Sequence, residues 1–263
     1  MSSNYLMESY NENNRLAKKV NPEEFVQNYL AKRIQSSKRI LDIGCGPAVI
    51  DEHLALTFRD IQFTALDISV SRTIEASKNI HQYSNLSFIS ANVYELPFED
   101  NAYDFIFSRF VFEYLKYPQK AFAEIKRVCK TNGTIMIQDI DGQFVSLYPE
   151  EKELLESMKL IFNKIFQCNG FDPMIGRKLY HLFYMHNMRQ IDVQLEPYHL
   201  IYGKIDSEDY DYWKNKLLTG KTHLEKYTDI DYNLNKYIQV YLTYLERHDT
   251  LSFSNLFTVY GIK

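Results

Sequence analysis

Arg39-Ile40-Leu41-Asp42-Ile43-Gly44-Cys45-Gly46-Pro47 is the stretch from which the rest of the chain is read. Branched apolar side chains give way abruptly to two glycines and a proline, so a short buried strand ends in a tight turn. Residues 48–58 then read as a helix. Glycines at a strand-to-helix turn let the backbone take positive φ and approach a ligand closely. Working outward, 61–66 reads as a second strand ending at Asp67, and 71–82 as a helix with Ser71 as its cap. Residues 86–91 and 103–108 read as the third and fourth strands. Pro118 suits the first turn of a helix, and Ala121, Phe122, Ile125, Val128 and Cys129 follow at helical spacing. Asn132-Gly133 turns that helix into a fifth strand over 134–138. Strand and helix alternating at this rhythm imply β-α-β units and a mostly parallel sheet with helices on both faces.

The second half has a different texture. Residues 150–167 are amphipathic, with Leu154, Met158, Ile161, Phe162 and Ile165 on one face. A loop at 169–173 leads to a helix reaching about residue 187. A sixth strand follows over 191–202, and a seventh over 252–262. Between them, 207–247 read as helical, with Leu234, Tyr237, Ile238, Tyr241, Leu242 and Leu245 in a stripe. The whole reads as one domain over 1–263. It has an N-terminal helical segment (1–36), a ligand-binding half (37–140) and a half (141–263) carrying the helical insertion.

Bulk properties narrow the function. The 263 residues are 45% hydrophobic and 24% charged, ordinary for a globular protein. The net charge of −4 and the brevity of basic runs such as Lys18-Lys19 and Lys32-Arg33 argue against a nucleic-acid partner. Cys45, Cys129 and Cys168 are too dispersed for a disulfide framework or a zinc site, and no metal is expected. No leader-like start and no long apolar run is seen, so a cytoplasmic protein without a membrane partner is expected. The 21 Tyr and 17 Phe suit an aromatic-lined pocket or a Tyr-rich core equally.

Asp67 lies 23 residues after Gly44, where a carboxylate can accept hydrogen bonds from both hydroxyls of a ribose. Two cofactor classes fit a ribose beside a glycine turn. A dinucleotide needs G-x-G-x-x-G for the approach of its pyrophosphate, and Val49 occupies the third glycine position. An adenosyl sulfonium has no pyrophosphate and needs no third glycine.

These residues resemble the class I, Rossmann-like S-adenosylmethionine-dependent methyltransferases of small-molecule type. Residues 40–46 are similar to that family's first motif, and Ala65-Leu66-Asp67-Ile68-Ser69 to its ribose-binding strand. The adenine-side segment is matched by 86–100, the fourth strand by 103–108, and the helix and turn before the fifth strand by Glu124-Ile125-Lys126-Arg127-Val128 with Gly133. The five motifs span roughly two fifths of the chain, in the family's order. Asn14-Arg15-Leu16 and Gly176-Arg177-Lys178-Leu179 also resemble small-molecule members. The chain departs from the pattern at Ala48, where a further glycine is frequent, and at Asn92, where an acid is common. It also departs at Thr131-Asn132-Gly133, where Pro-Gly-Gly is frequent, and at Tyr114, where a histidine often follows the glutamate.

The resemblance implies a doubly wound, mostly parallel seven-stranded sheet with its last strand antiparallel. It implies S-adenosylmethionine as cofactor, S-adenosylhomocysteine as product and a small-molecule acceptor, with the protein a monomer or homodimer. Gly44, Cys45 and Gly46 would lie against the methionine moiety, and Asp42 would orient the loop or meet the amino group. Asp67 would hold the ribose, Ile68 would pack on the adenine, and Asn92 and Val93 would meet its edge. Arg109 and Arg15 would reach the methionine end. Glu113, Tyr114 and Asp139 are candidate acceptor-side residues. A sulfonium methyl is already activated, so alignment and water exclusion matter most. A base is needed only if the nucleophile must lose a proton. Asp139 and Asp141 are candidates, as are Glu113 and the histidines, and no catalytic residue is singled out. His181 and His186 lack the spacing of a metal pair. The insertion, with Tyr210, Tyr212, Trp213 and Tyr227, suits a lid or a packing hairpin equally. A cofactor-binding module without turnover and a methyltransferase acting on protein stand as alternatives.

Overall fold

The structure is a computed structural model in which residues 20–70, 74, 82–225 and 231–263 are described. Arg15 with its neighbours, all but two residues of the helix expected over 71–82, and Tyr227 lie outside the described residues.

Strand β1 (Arg39–Ile43) is buried at every position but its first. Such a run fits a strand covered on both faces. It pairs in parallel with β2 (Gln62–Asp67) on one side and β4 (Tyr103–Arg109) on the other. β3 (Leu86–Ser90) extends the sheet beyond β2, and β5 (Cys129–Tyr148) extends it beyond β4, both in parallel. The last strand, β7 (Leu251–Ile262), runs antiparallel to β5 and to β6 (Arg189–Tyr202). The order β3-β2-β1-β4-β5-β7-β6 makes one seven-stranded sheet, as expected. The chain builds outward from β1 to β3 and then returns to β4 on the opposite side of β1. Such a reversal opens a crevice beyond the carboxyl ends of β1 and β4, where open α/β sheets bind ligands.

Consecutive strand residues face opposite sides, and the cores divide accordingly. Leu41, Ile43 and Ile106 pack with Phe122 and Ile125 of α3 (Pro118–Val128) and Phe183 of α5 (Leu179–Met185). On the other face, Ile40, Phe63 and Phe105 pack against Leu54 of α2 (Val49–Thr57) and Phe25 of α1 (Pro22–Phe25). α1 continues as a π-helical turn, Val26–Leu30. Its Tyr29 hydroxyl donates to Glu196 of β6 (2.7 Å), which fastens the N-terminal helix across the sheet.

The insertion is a hairpin of α6 (Ser207–Leu224) and α7 (Asp231–Leu245). It packs with α4 (Lys152–Asn169), burying Trp213, Tyr237, Tyr241 and Leu245 against Met158 and Ile161.

The largest departure from the sequence reading is β5. Expected over 134–138, it runs for 20 residues and pairs with β7 past a bulge between Asp141 and Ser146. Asp139, Asp141 and Gly142 disguise it, because acids and glycine are depleted in strands. Here both carboxylates are buried and satisfied. Asp139 accepts the N–H groups of Ile140 (2.8 Å) and Glu113 (3.1 Å). Asp141 is gripped by the Arg177 guanidinium (2.6 Å) and accepts the Arg177 N–H (2.9 Å). The familiar-looking Gly176-Arg177 therefore has a structural role: a Cβ on Gly176 would stand 2.8 Å from Asp141 Cβ.

Asn85 ties the end of α2 to the sheet edge. Its buried side-chain amide donates to the carbonyls of Ala55 (3.2 Å), Phe58 (3.2 Å) and Ile61 (3.0 Å). Removing the donor strands buried acceptors, which costs about 1–3 kcal/mol per group. Asn85→Ala is expected to lower the unfolding free energy by roughly 2 kcal/mol. An unchanged urea midpoint would contradict that role.

Candidate functional site

A cavity of about 440 Å³ opens at the carboxyl ends of β1, β2 and β4, the crevice set up by the strand order. Ligand pockets usually span about 300–1,000 Å³. Its floor is the glycine loop, Asp42 through Pro47. One wall is formed by Asp67, Ile68, Asn92 and Val93, and the opposite wall by Arg109, Glu113 and Tyr114. Eleven of the thirteen residues singled out from sequence therefore meet at one place, Asp42, Gly44, Cys45 and Gly46 among them. Asp139 is not among the lining residues, and Arg15 lies outside the described residues.

The loop is held by β2. Gly44 and Cys45 donate their N–H groups to the Leu66 carbonyl at 2.7 and 3.0 Å. Gly46 N–H donates to Asp67 Oδ2 (3.0 Å), and Ser69 N–H donates to Asp67 Oδ1 (2.8 Å). The loop bracing that the resemblance assigned to Asp42 thus falls to Asp67. Gly44 (φ +81°) and Gly46 (φ +55°) are left-handed. Ala48 is left-handed too, at φ +58°. The turn thus keeps the conformation a third glycine would favour, at a cost of roughly 1 kcal/mol for a residue with a Cβ. A Cβ on Gly44 would stand 2.2 Å from Val111 Cγ2, so the loop lies directly against the segment after β4.

Asp42 faces the interior of the loop and meets Asp51 of α2, a residue the sequence reading did not single out. Both carboxyls are buried, and their side chains are within hydrogen-bonding contact. Burial first, and the neighbouring carboxyl second, push Asp42 well above the usual range, with Arg109 opposing. Burial also pushes Asp51 up, to about 7. The same burial, with Asp51, Asp42 and Asp67 nearby, raises Cys45 and keeps its thiol protonated.

On the adenine-side wall, Ile68 is 48% exposed, an apolar surface next to a buried carboxylate. Asn92 Oδ1 accepts the Tyr94 N–H (3.0 Å), which leaves its second lone pair and its amide for a ligand. Arg109 is half-buried. Its Nε donates to Gln138 Oε1 (2.9 Å) and its guanidinium lies 4.0 Å from the Phe110 ring centroid. Burial lowers its hold on the proton, and Tyr198 and Tyr29, then the Asp42 and Asp139 carboxyls, oppose that effect.

The far wall is completed by Lys116 and, from segments distant in sequence, by Cys168, Asn169, Phe171 and Lys216 of the insertion. Tyr114 and Phe171 bring their rings to 5.4 Å. Here the sequence reading needs correction. Asp139, a candidate substrate residue, lies behind the wall and holds the Glu113 backbone. Asp141 is locked by Arg177. Of the candidate bases among the described residues, Glu113 alone lines the cavity. His186 lies 4.7 Å from the Phe122 ring, as a packing residue. The insertion packs against α4, and its Lys216 also lines the cavity.

Residues 41–137 match the family model described as "Methyltransferase domain". An uncharacterised methyltransferase of Schizosaccharomyces pombe is 29% identical over 167 residues, 59% of this chain and 58% of that protein. The malonyl-[acyl-carrier protein] O-methyltransferase of Legionella pneumophila is 29% identical over 52% of this chain and 46% of its own length. The chain thus spans about half the length of the curated relatives it matches. In fold, it is similar to a phosphoethanolamine N-methyltransferase 2 of Haemonchus contortus solved with phosphomonomethylethanolamine and S-adenosylhomocysteine. The TM-score is 0.55 at 17% identity, over 97% of this chain and 53% of the other. Residues 41–137 thus match a methyltransferase domain, and the fold is shared with a methyltransferase solved with S-adenosylhomocysteine.

The loop geometry carries its own test. Gly44→Ala places a Cβ in a left-handed position and drives it into Val111. It is expected to cost at least 1–2 kcal/mol, read as a lower denaturation midpoint. Val111→Ala in the same chain should return part of that loss. No loss in the single variant would show that the loop does not need a glycine there.

Proposed function

We propose that this chain transfers the methyl group of S-adenosylmethionine to a small-molecule acceptor, with the cofactor seated across the glycine loop and Asp67. The observation that carries this reading is the buried Asp67 carboxylate at the end of β2, lining the cavity beside the exposed Ile68. A carboxylate there accepts ribose hydroxyls, Ile68 offers an adenine face, and Asn92 and Val93 bound its edge. Gly44 and Gly46 leave the loop bare of side chains toward the methionine portion. Asp42 meets its ammonium, and Arg109 its carboxylate.

The donor set fits this cofactor better than a dinucleotide. Val49 lines the cavity at the first turn of α2, where a pyrophosphate needs close approach to the helix N-terminus. The buried acids Asp42 and Asp51 below that turn repel phosphates and favour a cation. When bound, S-adenosylmethionine supplies a methyl already activated on a sulfonium.

The protein's remaining task is to align a nucleophile and exclude water. With Asp139 and Asp141 engaged elsewhere, Glu113 is the one candidate base left on the wall. The wall is better provided with cations, Lys116 and Lys216, beside the rings of Tyr114 and Phe171. This combination supports an acceptor with an apolar body that arrives as an anion, a carboxylate foremost, for which proton removal is unnecessary.

The test is production of S-adenosylhomocysteine on incubating the protein with S-adenosylmethionine and a panel of carboxylic acids, phenols and amines. Turnover with carboxylic acids is expected. Lys116→Glu with Lys216→Glu should raise KM for the acceptor roughly tenfold, about 1.4 kcal/mol, with little change in kcat. Cofactor binding without turnover on any panel member would contradict the enzymatic reading and favour a binding module.

A further inference from the structure

Asp51 is the anomaly of the site. It occupies the first turn of α2, its side chain is fully buried, and among the described residues no donor reaches either of its carboxyl oxygens. A buried carboxylate without a donor is among the most costly groups a protein can hold. Its neighbour across the contact is Asp42, itself 4% exposed and on the cavity floor. Two ionised carboxylates cannot satisfy each other, since both only accept. A single proton between them converts one into a donor and resolves both problems.

We propose that Asp42 and Asp51 share one proton, and that a ligand ammonium arriving at Asp42 displaces it to solvent. Asp51 is then a positioning residue. It keeps Asp42 aimed into the loop with the pair at charge −1, and it stores the second negative charge for the ligand. The step balances: the protonated pair and the ammonium form a complex of two carboxylates with one ammonium, and one proton leaves. The inference rests on the seating of the cofactor's methionine end at Asp42.

The surroundings support a proton-holding pair at neutral pH. Burial raises both carboxyls most; the Asp51 contact raises Asp42 further, while the hydrogen bond with Asp42 lowers Asp51, as one proton held between them would. The charged and titratable groups around the pair are Asp67 across the loop, Arg109 at the end of β4, the protonated Cys45 thiol and Glu52 next along α2. Arg109 is the one cation in this set. It offsets part of the negative charge of the pair and Asp67, and the ammonium adds the second positive charge that lets both carboxyls ionise.

The sign follows from linkage. A ligand that expels a proton binds more tightly as pH rises, by up to tenfold per pH unit for one proton. The protein should therefore tighten on S-adenosylhomocysteine as pH rises past about 7, where burial places the Asp51 carboxyl.

The experiment is calorimetric titration at pH 7 in buffers of different ionisation enthalpy, which counts protons released on binding. S-adenosylhomocysteine is the probe, and 5′-methylthioadenosine, which lacks the amino-acid end, is its control. The wild type is expected to release a fraction approaching one proton with the first ligand and none with the second. This comparison needs no variant. Asp51→Asn, which keeps a donor for Asp42 but cannot share a proton, should still bind S-adenosylhomocysteine, release none, and lose the pH dependence. Binding by the wild type without proton release, or equal release by Asp51→Asn, overturns the inference and leaves the cofactor site standing. Failure of both nucleosides to bind the folded protein overturns the cofactor site and the inference with it.

Discussion

One carboxylate ties the ligand end of the sheet together. Asp67 accepts the Gly46 N–H with one oxygen and the Ser69 N–H with the other, and is itself buried. Charge-assisted bonds of this kind are about twice as strong as neutral ones. They join the loop after β1 to the loop after β2 at the point where both meet the cavity. The left-handed run Gly44, Gly46 and Ala48 is what lets the backbone turn back far enough to be held there. The cleft is therefore shaped by the same residue that we propose for the ribose, so site geometry and the proposed recognition run through a single side chain.

Electrostatics then sort the ligands. The loop sits above an acidic interior, Asp42 and Asp51, with Arg109 as the cation on the adjoining wall. Helix N-termini usually attract anions. Here the buried pair reverses that preference beneath the first turn of α2 and makes the place suited to a cation. Fold alone does not distinguish these outcomes. The particular acids and Val49 do, which is why the site supports an adenosyl sulfonium over a dinucleotide.

The legibility of the sequence followed the physics of burial. β1, β2 and β4 are covered on both faces, so their residues are apolar enough to read directly, and the glycine turn and Asp67 followed from them. β5 reads short in the sequence because Asp139 and Asp141 look like the end of a strand. Only tertiary partners, Glu113 and Arg177, make them tolerable inside one. Asp139 was drawn toward the acceptor by the same misreading. Asp51 passed unnoticed since an acid in the first turn of a helix normally just complements the helix dipole. Nothing in sequence spacing says that this one points inward at Asp42. Lys216 and Phe171 reach the cavity from far along the chain, and no local pattern announces them. The aromatic stripe of α7 was legible as a helix face, while its burial against α4 needed the fold.

The most direct measurement is a crystal structure of the protein with S-adenosylhomocysteine. The account requires the ribose hydroxyls on the Asp67 carboxylate, the adenine against Ile68 beside Asn92 and Val93, and the amino-acid end over Gly44 and Gly46 with its ammonium at Asp42. A nucleoside bound away from Asp67, or seated in the cleft with its amino-acid end turned from Asp42, would contradict it.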